Sequence, residues 1–149
     1  MYSLRDAVAD DAEAISAFME HVILTCVEAG ADEKAPFVAN TRRNLDQWLG
    51  APALSFHLAA WLDDELVGVV MVRDFWNLCH LFVAPRHQGH GLGRRLLESA
   101  LAACAARSPR GCVRLNASRN AIGFYRHMGF AEVLDATPPY RWIQFERAV

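Results

Sequence analysis

Lysine is nearly absent from this chain of 149 residues, which has a single one at Lys34. A P-loop needs a lysine directly after its last glycine, and no glycine of this sequence is followed by one. The formal net charge is −2, so the chain also lacks the basic surplus typical of nucleic-acid-binding proteins. These absences exclude a P-loop and argue against nucleic acid as the main partner.

Long apolar runs and closely paired cysteines are missing too. No apolar run approaches the roughly 20 residues of a membrane span, and the first six residues lack the basic and apolar regions of a signal peptide. The cysteines have no C-x-x-C spacing and fall within apolar segments, at Cys26, Cys79, Cys104 and Cys112. They predict small buried side chains in a reducing compartment. We therefore expect a cytoplasmic protein that does not act on membranes.

No linker, internal repeat or low-complexity tract divides the sequence. Apolar residues make up 53% of it and charged residues 21%, which is ordinary globular composition. A chain of this length can bury a core without disulfides or metal. We expect one domain over residues 1–149, as a monomer or a homodimer.

What the sequence does contain is a glycine-rich turn between a strand and a helix. Residues 81–97 read LFVAPRHQGHGLGRRLL, a short apolar run followed by a proline, three glycines and the start of a periodic helix. Glycine permits positive φ and close approach, so several backbone N–H groups can converge on one anion. The helix N-terminus adds unpaired N–H donors and the positive end of its dipole. The stretch therefore predicts an anion-binding turn.

Positive side chains cluster at this turn in a chain of negative net charge. Arg94 and Arg95 lie in the first helical turn, where a cation is disfavoured by roughly 0.3–1 kcal/mol. Arg86, His87 and His90 lie nearby in the sequence. An anionic ligand would reconcile these charges with their position.

The spacing of the glycines discriminates between anions. A dinucleotide-binding fingerprint would need a glycine where Leu96 stands. The segment Gln88-Gly89-His90-Gly91-Leu92-Gly93 instead resembles [QR]-x-x-G-x-[GA], the acyl-CoA motif of the GCN5-related N-acetyltransferases, the GNAT family. The apolar run before it is similar to that family's fourth strand and its exit.

The order of the predicted elements extends the resemblance to nearly the whole chain. Apolar periodicity predicts four helices, the first capped by Asp10 and Glu13 and running to Val27, the others at 41–49, from 92 to before Pro109, and at 120–128. Residues 30–40 are predicted to be a loop, and strands are predicted at 3–8, 55–62, 66–74, 77–83, 112–117, 131–135 and 140–147. A right-handed crossover should place the strand at 112–117 parallel to that at 77–83. The fold class is α/β (α+β) in the order β-α-α-β-β-β-α-β-α-β-β. The GNAT family has this order, which implies a mixed central sheet with splayed fourth and fifth strands.

A second motif lies in the last third of the chain. Residues 118–130 are similar to the family's N-x-x-A-x-x-F-Y-x-x-x-G-F segment, with matches at Ala121, Phe124, Tyr125, Gly129 and Phe130. Ser118 stands in place of the asparagine, and Asn120 follows two residues later. Gly123 falls inside the predicted helix, where glycine costs about 0.5–1 kcal/mol against alanine. Close approach of a ligand or a neighbouring backbone would explain it.

The resemblance implies acetyl-CoA as the acyl donor, bound between the two splayed strands. The predicted contacts to the pantetheine arm lie in the fourth strand and the second motif, at Leu81, Phe82, Val83, Asn120, Phe124 and Tyr125. The predicted pyrophosphate contacts are the N–H groups of Gln88, Gly89, His90, Gly91, Leu92, Gly93 and Arg94. In the family the asparagine that Ser118 replaces contacts pantetheine. Asn120 could make that contact, although both residues are also good helix caps.

Tyr125 is the candidate general acid. A phenol with a reference pKa of about 10 is protonated at neutral pH and can donate a proton to the departing CoA thiolate. The alternative is a core aromatic residue in a helical stripe with Phe124 and Met128. A buried hydroxyl would then still need a hydrogen-bond partner.

The general base is not identified by the sequence. Family members often use a carboxylate or histidine of the fourth strand, where this chain has Asn77 and Cys79. Strand alternation predicts that both share a face with Leu81 and Val83, while His80 points the other way unless a bulge intervenes. Asn77 could position a water. Otherwise the amine arrives neutral or is deprotonated by one of four candidates, Glu20, Glu28, His57 and Asp74.

Neither a metal nor a particular acceptor is indicated. His80, His87 and His90 lack the carboxylate or cysteine that would complete a zinc site, so we expect no metal. Acidic residues on the side where the family binds its acceptor would suit a cationic amine, namely Glu20, Glu28, Asp32, Glu33 and Asp46. A charge run is more often a solvated surface. The acceptor is left as the amine of a small molecule or a peptide.

The sequence therefore predicts an N-acetyltransferase in which a bound primary amine attacks acetyl-CoA directly. A non-catalytic acyl-CoA-binding or regulatory module on the same fold is the alternative, which the missing strand base favours. A glycine-rich fold that binds no CoA is the third possibility.

Overall fold

Apolar strands build one mixed sheet in the computed structural model, which describes residues 1–26, 30–133 and 143–149. The strands are β1 (Ser3–Asp6), β2 (Ser55–Leu62), β3 (Glu65–Arg73), β4 (Asn77–Val83), β5 (Cys112–Ala117), β6 (Ala131–Glu132) and β7 (Ile143–Ala148). Their spatial order is β1-β2-β3-β4-β5-β7-β6. Neighbours are antiparallel except β4 and β5, which are parallel, as the crossover predicts.

Helices cover both faces of this sheet. They are α1 (Ala12–Cys26), α2 (Ala31–Gly50), α3 (Leu92–Ala105) and α4 (Ile122–His127). On one face, residues of α1 and α2 such as Ile15 and Trp48 pack against Val69 and Met71 of β3. On the other face, α3 and α4 pack against alternate residues of the same strands. None of the helices within the described residues is long and apolar enough to cross a membrane.

The predicted order of elements is confirmed, and most of the predicted bounds hold within a few residues. The helix predicted at 120–128 is a turn of 3₁₀ helix at Arg119–Ala121 followed by the six residues of α4. The strand predicted at 131–135 is only Ala131–Glu132. Val27, Glu28, the end of the 131–135 prediction and the first three residues of the last predicted strand lie outside the described residues.

The predicted loop at 30–40 is wrong, because these residues form the first half of α2. Pro36 lies inside this helix, although proline lacks an N–H and disfavours a helix interior. Asp32 and Glu33 instead stabilise the first turn through the helix dipole. The buried side chains of Leu45 and Trp48 hold the second half of α2 against the sheet. Tertiary packing outweighs the single missing hydrogen bond.

Close packing of α3 on β3 at Gly68 gives a stability prediction. A Cβ there would lie 2.9 Å from Leu96 Cδ1 and 3.4 Å from the Phe82 carbonyl oxygen. We expect Gly68→Ala to lower the free energy of unfolding by about 1–3 kcal/mol, because overpacking forces neighbours to move. Urea unfolding measures the change.

Gly123→Ala is the matched control for Gly68→Ala. A Cβ at Gly123 meets no atom within 4 Å, so close approach of a neighbouring backbone does not explain this glycine. Because Gly123 lies inside α4, alanine should raise the free energy of unfolding by up to about 1 kcal/mol. Equal losses in the two variants would contradict the packing explanation.

Candidate active site

A wedge opens between β4 and β5. Their register contains a single pair, Asn77 with Arg114, and the Arg114 N–H donates to the Trp76 carbonyl at 2.7 Å. Beyond that pair, no further pairing joins the two strands in the described ranges. β5 is paired with β7 along its whole length, so only its edge towards β4 is open. The splayed fourth and fifth strands that the resemblance implied are therefore present.

A cavity of about 560 Å³ occupies this wedge and extends to α2. The residues that α2 contributes lie on one side of the helix, at Phe37, Asn40, Arg43, Asn44 and Gln47. The end of β3 and β4 supply Arg73, Asn77, Leu78, Cys79, Leu81 and Phe82. The opposite wall is formed by β5 and the segment that follows it, through Leu115, Asn116, Ala117, Ser118, Ala121 and Tyr125. One cavity thus joins the predicted donor strand to the helix on the acceptor side.

The glycine-rich turn lies where β4 ends and α3 begins. Gly89 and Gly91 have φ angles of +80° and +79°, which favour glycine, and a Cβ on either would meet no atom within 4 Å. Gly91 caps α3 without a side-chain hydrogen bond, and the first turn of α3 contains no acidic residue. The N–H donors of the first turn, at Leu92, Gly93 and Arg94, therefore have neither a capping side chain at Gly91 nor an acidic residue within that turn. These features fit an anion-binding site.

Side chains around the turn fix its position. Gln88 Nε2 donates to the Val83 carbonyl at 3.0 Å, which ties the turn to the end of β4. A Cβ at Gly93 would lie 3.6 Å from Val83 Cγ2 and 3.9 Å from Phe124 Cζ, so Phe124 packs beneath the first turn of α3. The turn is held by the same elements that border the wedge.

Two of the cations near the turn are paired within the chain. Arg86 pairs with Glu65, and Arg94 Nε lies 2.8 Å from Glu98 Oε1. Arg95 is exposed. Because these carboxylates already offset part of the charge, the backbone N–H groups are the main anion donors that the turn presents.

Tyr125 lies where the cavity meets α4. Its side chain is buried, and its ring packs edge to face on Phe124 and Phe130 at centroid distances of 5.2 and 5.6 Å. Burial raises the pKa of Tyr125 well above its usual value, so the phenol stays protonated. Within the described residues, no side chain or backbone group makes a hydrogen bond to its hydroxyl. A protonated donor without an internal partner therefore borders the cavity.

A β-bulge at Cys79 changes which side chains of β4 share a face. Met71 of β3 pairs with His80 and the next residue pairs with Leu78, so Cys79 has no partner on β3. Asn77 pairs with Arg73, whose side chain reaches α2. The prediction that Asn77 and Cys79 share a face with Leu81 and Val83 is therefore wrong. Asn77, Cys79 and His80 face α2, because the bulge shifts the alternation by one residue.

His80 is buried as a structural residue. Asn44 Nδ2 lies 3.4 Å from His80 Nε2, and burial lowers the pKa of His80 to about 3, with the positive charges of His57 and Arg73 lowering it further. A neutral ring accepts this hydrogen bond from Asn44. Burial also raises the pKa of the Cys79 thiol, against the opposing effect of Arg73. Neither group is a base at neutral pH.

The general bases proposed from the sequence do not line the cavity, as far as the structure describes them. Glu20 is paired with Arg42 at 3.5 Å, and Asp74 is exposed in the turn before β4. His57 is buried, with its ring edge to face on Trp48 at 4.4 Å, and borders a separate cavity. Glu28 lies outside the described residues. None of the three described candidates lines the wedge between β4 and β5.

The acidic residues noted on the acceptor side do not line the cavity, as far as the structure describes them. The described residues that line the cavity include Arg43 and Arg73 and no aspartate or glutamate. The acidic side chains of α1 and α2 lie outside it, as expected of a solvated surface. The sequence did carry a signal for this wall, since Asn40, Arg43, Asn44 and Gln47 form a polar stripe at helical spacing. The predicted helix at 41–49 included three of these residues, and the loop prediction for residues 30–40 left out Asn40.

The other predicted site residues divide into two sets. Leu81, Phe82, Asn77 and Tyr125 line the cavity, and the turn from Gln88 to Arg94 follows β4 at its end. Asn120 is exposed and lies outside the cavity lining, whereas Ser118 and Asn116 are part of it.

His87 and His90 of the turn do not come together with His80 to form a metal site. His87 Nδ1 is 2.9 Å from the Tyr2 hydroxyl, and His90 is exposed, whereas His80 is buried in the sheet. Across the described part of the chain, no group of three or more histidine, cysteine, aspartate or glutamate side chains is placed to hold a metal ion.

Two buried histidines make the fold sensitive to acid. Burial lowers the pKa of His57 to about 4, with Asp11 opposing the shift, and that of His80 to about 3. The unfolded values are about 6.5, so below pH 6.5 the unfolded state binds more protons and stability falls with pH. At pH 5 we expect each histidine to cost roughly 2 kcal/mol, at about 1.36 kcal/mol per pKa unit. Urea unfolding at pH 7.5 and 5.0 measures the loss.

His57→Leu separates the contributions of the two histidines. Both ring nitrogens of His57 are buried without partners in the described part of the chain, so an apolar replacement leaves no group unpaired. The variant should lose about half as much stability between the two pH values as the parent chain. The control His21→Gln alters an exposed histidine, and its free energy of unfolding should fall between the two pH values as much as that of the parent chain. An unchanged loss in His57→Leu would refute the assignment.

Comparison with known proteins gives one family. Residues 25–146 match the profile of a family described as the acetyltransferase (GNAT) domain. No curated protein matches the chain.

Solved structures of the same architecture cover the whole chain. A GCN5-related N-acetyltransferase from Rhodopseudomonas palustris has a TM-score of 0.78 at 19% identity, over 99% of this chain and 95% of that one. The PaiA N-acetyltransferase from Thermoplasma acidophilum, in complex with coenzyme A, has 0.77 at 14%, over 100% and 99%. YncA from Salmonella typhimurium, with its cofactor acetyl-CoA, has 0.71 at 18%, over 99% and 94%. At these identities the similarity establishes the fold, and the acceptor has to be argued from this chain's own residues.

Proposed function

Because the chain belongs to the GNAT acetyltransferase domain family, we propose that it transfers the acetyl group of acetyl-CoA to a primary amine. The observation that carries this proposal is the open wedge between β4 and β5 beside the uncapped N-terminus of α3. The coenzyme A complex of PaiA and the acetyl-CoA complex of YncA support the choice of donor.

We propose that the turn and the first turn of α3 bind the CoA pyrophosphate. The N–H groups of residues 88–94 would donate to it, since Gly89 and Gly91 leave open space before the helix. The unpaired edge of β4 would bind the pantetheine arm through backbone groups at Leu81, Phe82 and Val83. Ser118 and Asn116 are better placed than Asn120 to contact that arm, because both line the cavity.

The proposed reaction is a direct attack. The amine nitrogen bonds to the thioester carbonyl carbon, the carbon–sulfur bond breaks, and the thiolate receives a proton from Tyr125, which is reprotonated by the proton that the amine releases to water. Burial disfavours the Tyr125 phenolate, so the phenol stays protonated until the thiolate forms, and its hydrogen bond stabilises the charge that develops on sulfur before the proton moves. Asn77 would hold a water that accepts the proton of the amine, since its amide lines the cavity where no carboxylate of the described chain does.

The rival function is a non-catalytic acyl-CoA-binding module. The carboxylate-free lining of the cavity, as far as the structure describes it, is the observation that favours this alternative. Both functions require CoA binding, and only the first requires turnover.

We propose that the protein works in a reducing compartment. The four cysteines are free, and Cys104 is fully buried, so we place the protein in the cytoplasm. With a net charge of −2, we propose neither nucleic acid nor membrane as a partner.

Calorimetric titration with acetyl-CoA, CoA and ATP tests the donor site. We expect micromolar binding of both CoA species and no binding of ATP, because the pantetheine wedge adds contacts that ATP cannot make. If neither CoA species binds, the proposed function is refuted. Thiol release from acetyl-CoA across a panel of amines then tests catalysis. Binding without release for any amine would favour the non-catalytic module.

A further inference from the structure

A network of hydrogen bonds fixes Arg73 at the α2 wall of the cavity. Arg73 Nη1 donates to Asn44 Oδ1 at 3.1 Å and to Gln47 Oε1 at 2.7 Å. Asn44 Nδ2 in turn lies 3.4 Å from His80 Nε2, so the amide is oriented from both ends. Nη1 has two hydrogens, and the two amide oxygens occupy both of them. The guanidinium is therefore held in place while its Nε and Nη2 donors are left for another group.

The charge of Arg73 has no carboxylate partner. None of the ion pairs within the described residues involves it. Asp74, the next residue, and Asp46 on α2 are exposed and lie outside the cavity lining. Partly burying a charge without a counter-ion costs free energy. A fixed, unmatched guanidinium at a cavity wall therefore points to an anionic group on the ligand.

The part of the cavity wall next to Arg73 is also positively charged. Arg43 also lines the cavity, and its Nη2 lies 3.4 Å from Asn40 Oδ1 rather than near a carboxylate. The remaining polar groups of this wall are amides, which can donate to an oxyanion as readily as accept from an amine. The wall is thus suited to hold an anion and a nitrogen side by side.

This anion is not a phosphate of CoA. Arg73 pairs with Asn77 at the first residue of β4, whereas the glycine-rich turn follows the last residue, Val83. A strand of seven residues spans roughly 20 Å at about 3.3 Å per residue. A pyrophosphate on the turn would therefore be far out of reach of Arg73. The group that Arg73 binds has to come from the acceptor.

We infer that the acceptor is a small amine that carries a carboxylate, such as an amino acid, and that Arg73 binds this carboxylate. The inference rests on the proposed acetyl transfer. The Nε and Nη2 donors form the fork that binds a carboxylate through two parallel hydrogen bonds. The cavity of about 560 Å³ is in the size range of small-molecule sites. The amine would then lie near Asn77 in the same cavity.

Matched acceptors test the inference. Each proteinogenic amino acid, its amide and its decarboxylated amine are assayed for thiol release from acetyl-CoA. At least one amino acid should have a kcat/KM more than tenfold above those of its two matched analogues. Arg73→Gln should lower the kcat/KM of that amino acid about tenfold or more, through KM, and leave its amide and the Kd of acetyl-CoA unchanged. Arg42→Gln, a change on α2 outside the cavity lining, is the control and should alter nothing.

Binding measurements distinguish failure of this inference from failure of the proposed function. Saturation-transfer NMR with the same amino acids, on protein with and without saturating CoA, needs no turnover and should show contacts that Arg73→Gln removes. If acetyl-CoA binds but amides are preferred, or if the amino acids bind the parent and Arg73→Gln equally, the carboxylate inference is refuted and the proposed acetyl transfer is not. If acetyl-CoA does not bind, the proposed function is refuted, and loss of amino-acid contacts in Arg73→Gln would still support the anion site.

Discussion

Gly91→Glu is expected to abolish binding of acetyl-CoA and CoA. Gly91 has a φ of +79° and caps α3, and a side chain there would enter the open space before the helix. The glutamate carboxylate would be attracted by the N–H groups of the first turn and would repel the pyrophosphate. We expect a loss of at least 100-fold in affinity, or about 2.7 kcal/mol. Calorimetric titration measures it.

Gly111→Glu is the matched control for this charge. Gly111 also has a positive φ, of +67°, with open space around its Cβ position. It follows the C-terminal end of α3, a helix of 14 residues that is roughly 21 Å long, whereas Gly91 lies at the N-terminal end. Both substitutions impose similar backbone strain, so their unfolding midpoints should fall alike while only Gly91→Glu loses CoA. Normal CoA binding by a folded Gly91→Glu variant would show that the turn is not the pyrophosphate site.

Tyr125→Phe is expected to lower kcat about 100-fold with little change in the Kd of acetyl-CoA. General acids contribute typically 10²–10⁴-fold to a rate, and the hydroxyl is the only group removed. The ring contacts with Phe124 and Phe130 remain, so the unfolding midpoint should hold. Because the pKa of Tyr125 is raised, its ionisation should cause no loss of activity in the parent below about pH 10. Steady-state kinetics with the best acceptor measures these effects.

Tyr2→Phe controls for loss of a phenol elsewhere. Tyr2 lies outside the cavity lining, where its hydroxyl is hydrogen-bonded to His87. This variant should retain the parent kcat. Unchanged turnover in Tyr125→Phe would remove Tyr125 as the acid, and equal losses in both variants would indicate a structural effect.

The glycine-rich turn and the second motif could be found from the sequence because their chemistry is local. Glycines at 89 and 91 adopt the positive φ angles that such a turn requires, and both angles are present in the structure. The strand, turn and helix around them are encoded within about 30 consecutive residues. The resemblance of these short stretches to two motifs of the family, rather than any distant contact, led to these predictions.

The acceptor wall depended on contacts between distant parts of the chain. α2 continues through Pro36 because packing on the sheet stabilises it, and this extension brings Phe37 and Asn40 to the cavity. Arg73 is 29 residues from Asn44, to which it is hydrogen-bonded. A polar stripe and an isolated arginine have no recognisable spacing between them until the chain folds.

By itself, the sequence determined the order of the elements, the glycine-rich turn and the candidate acid, because each depends on residue types close together in the chain. The tertiary structure decided which face of β4 meets α2 and which charge lines the cavity. The reason is the bulge at Cys79, since one unpaired residue reverses strand alternation and puts Asn77 on the same face as His80, towards α2. Register and packing are properties of the whole sheet, and no local pattern specifies them.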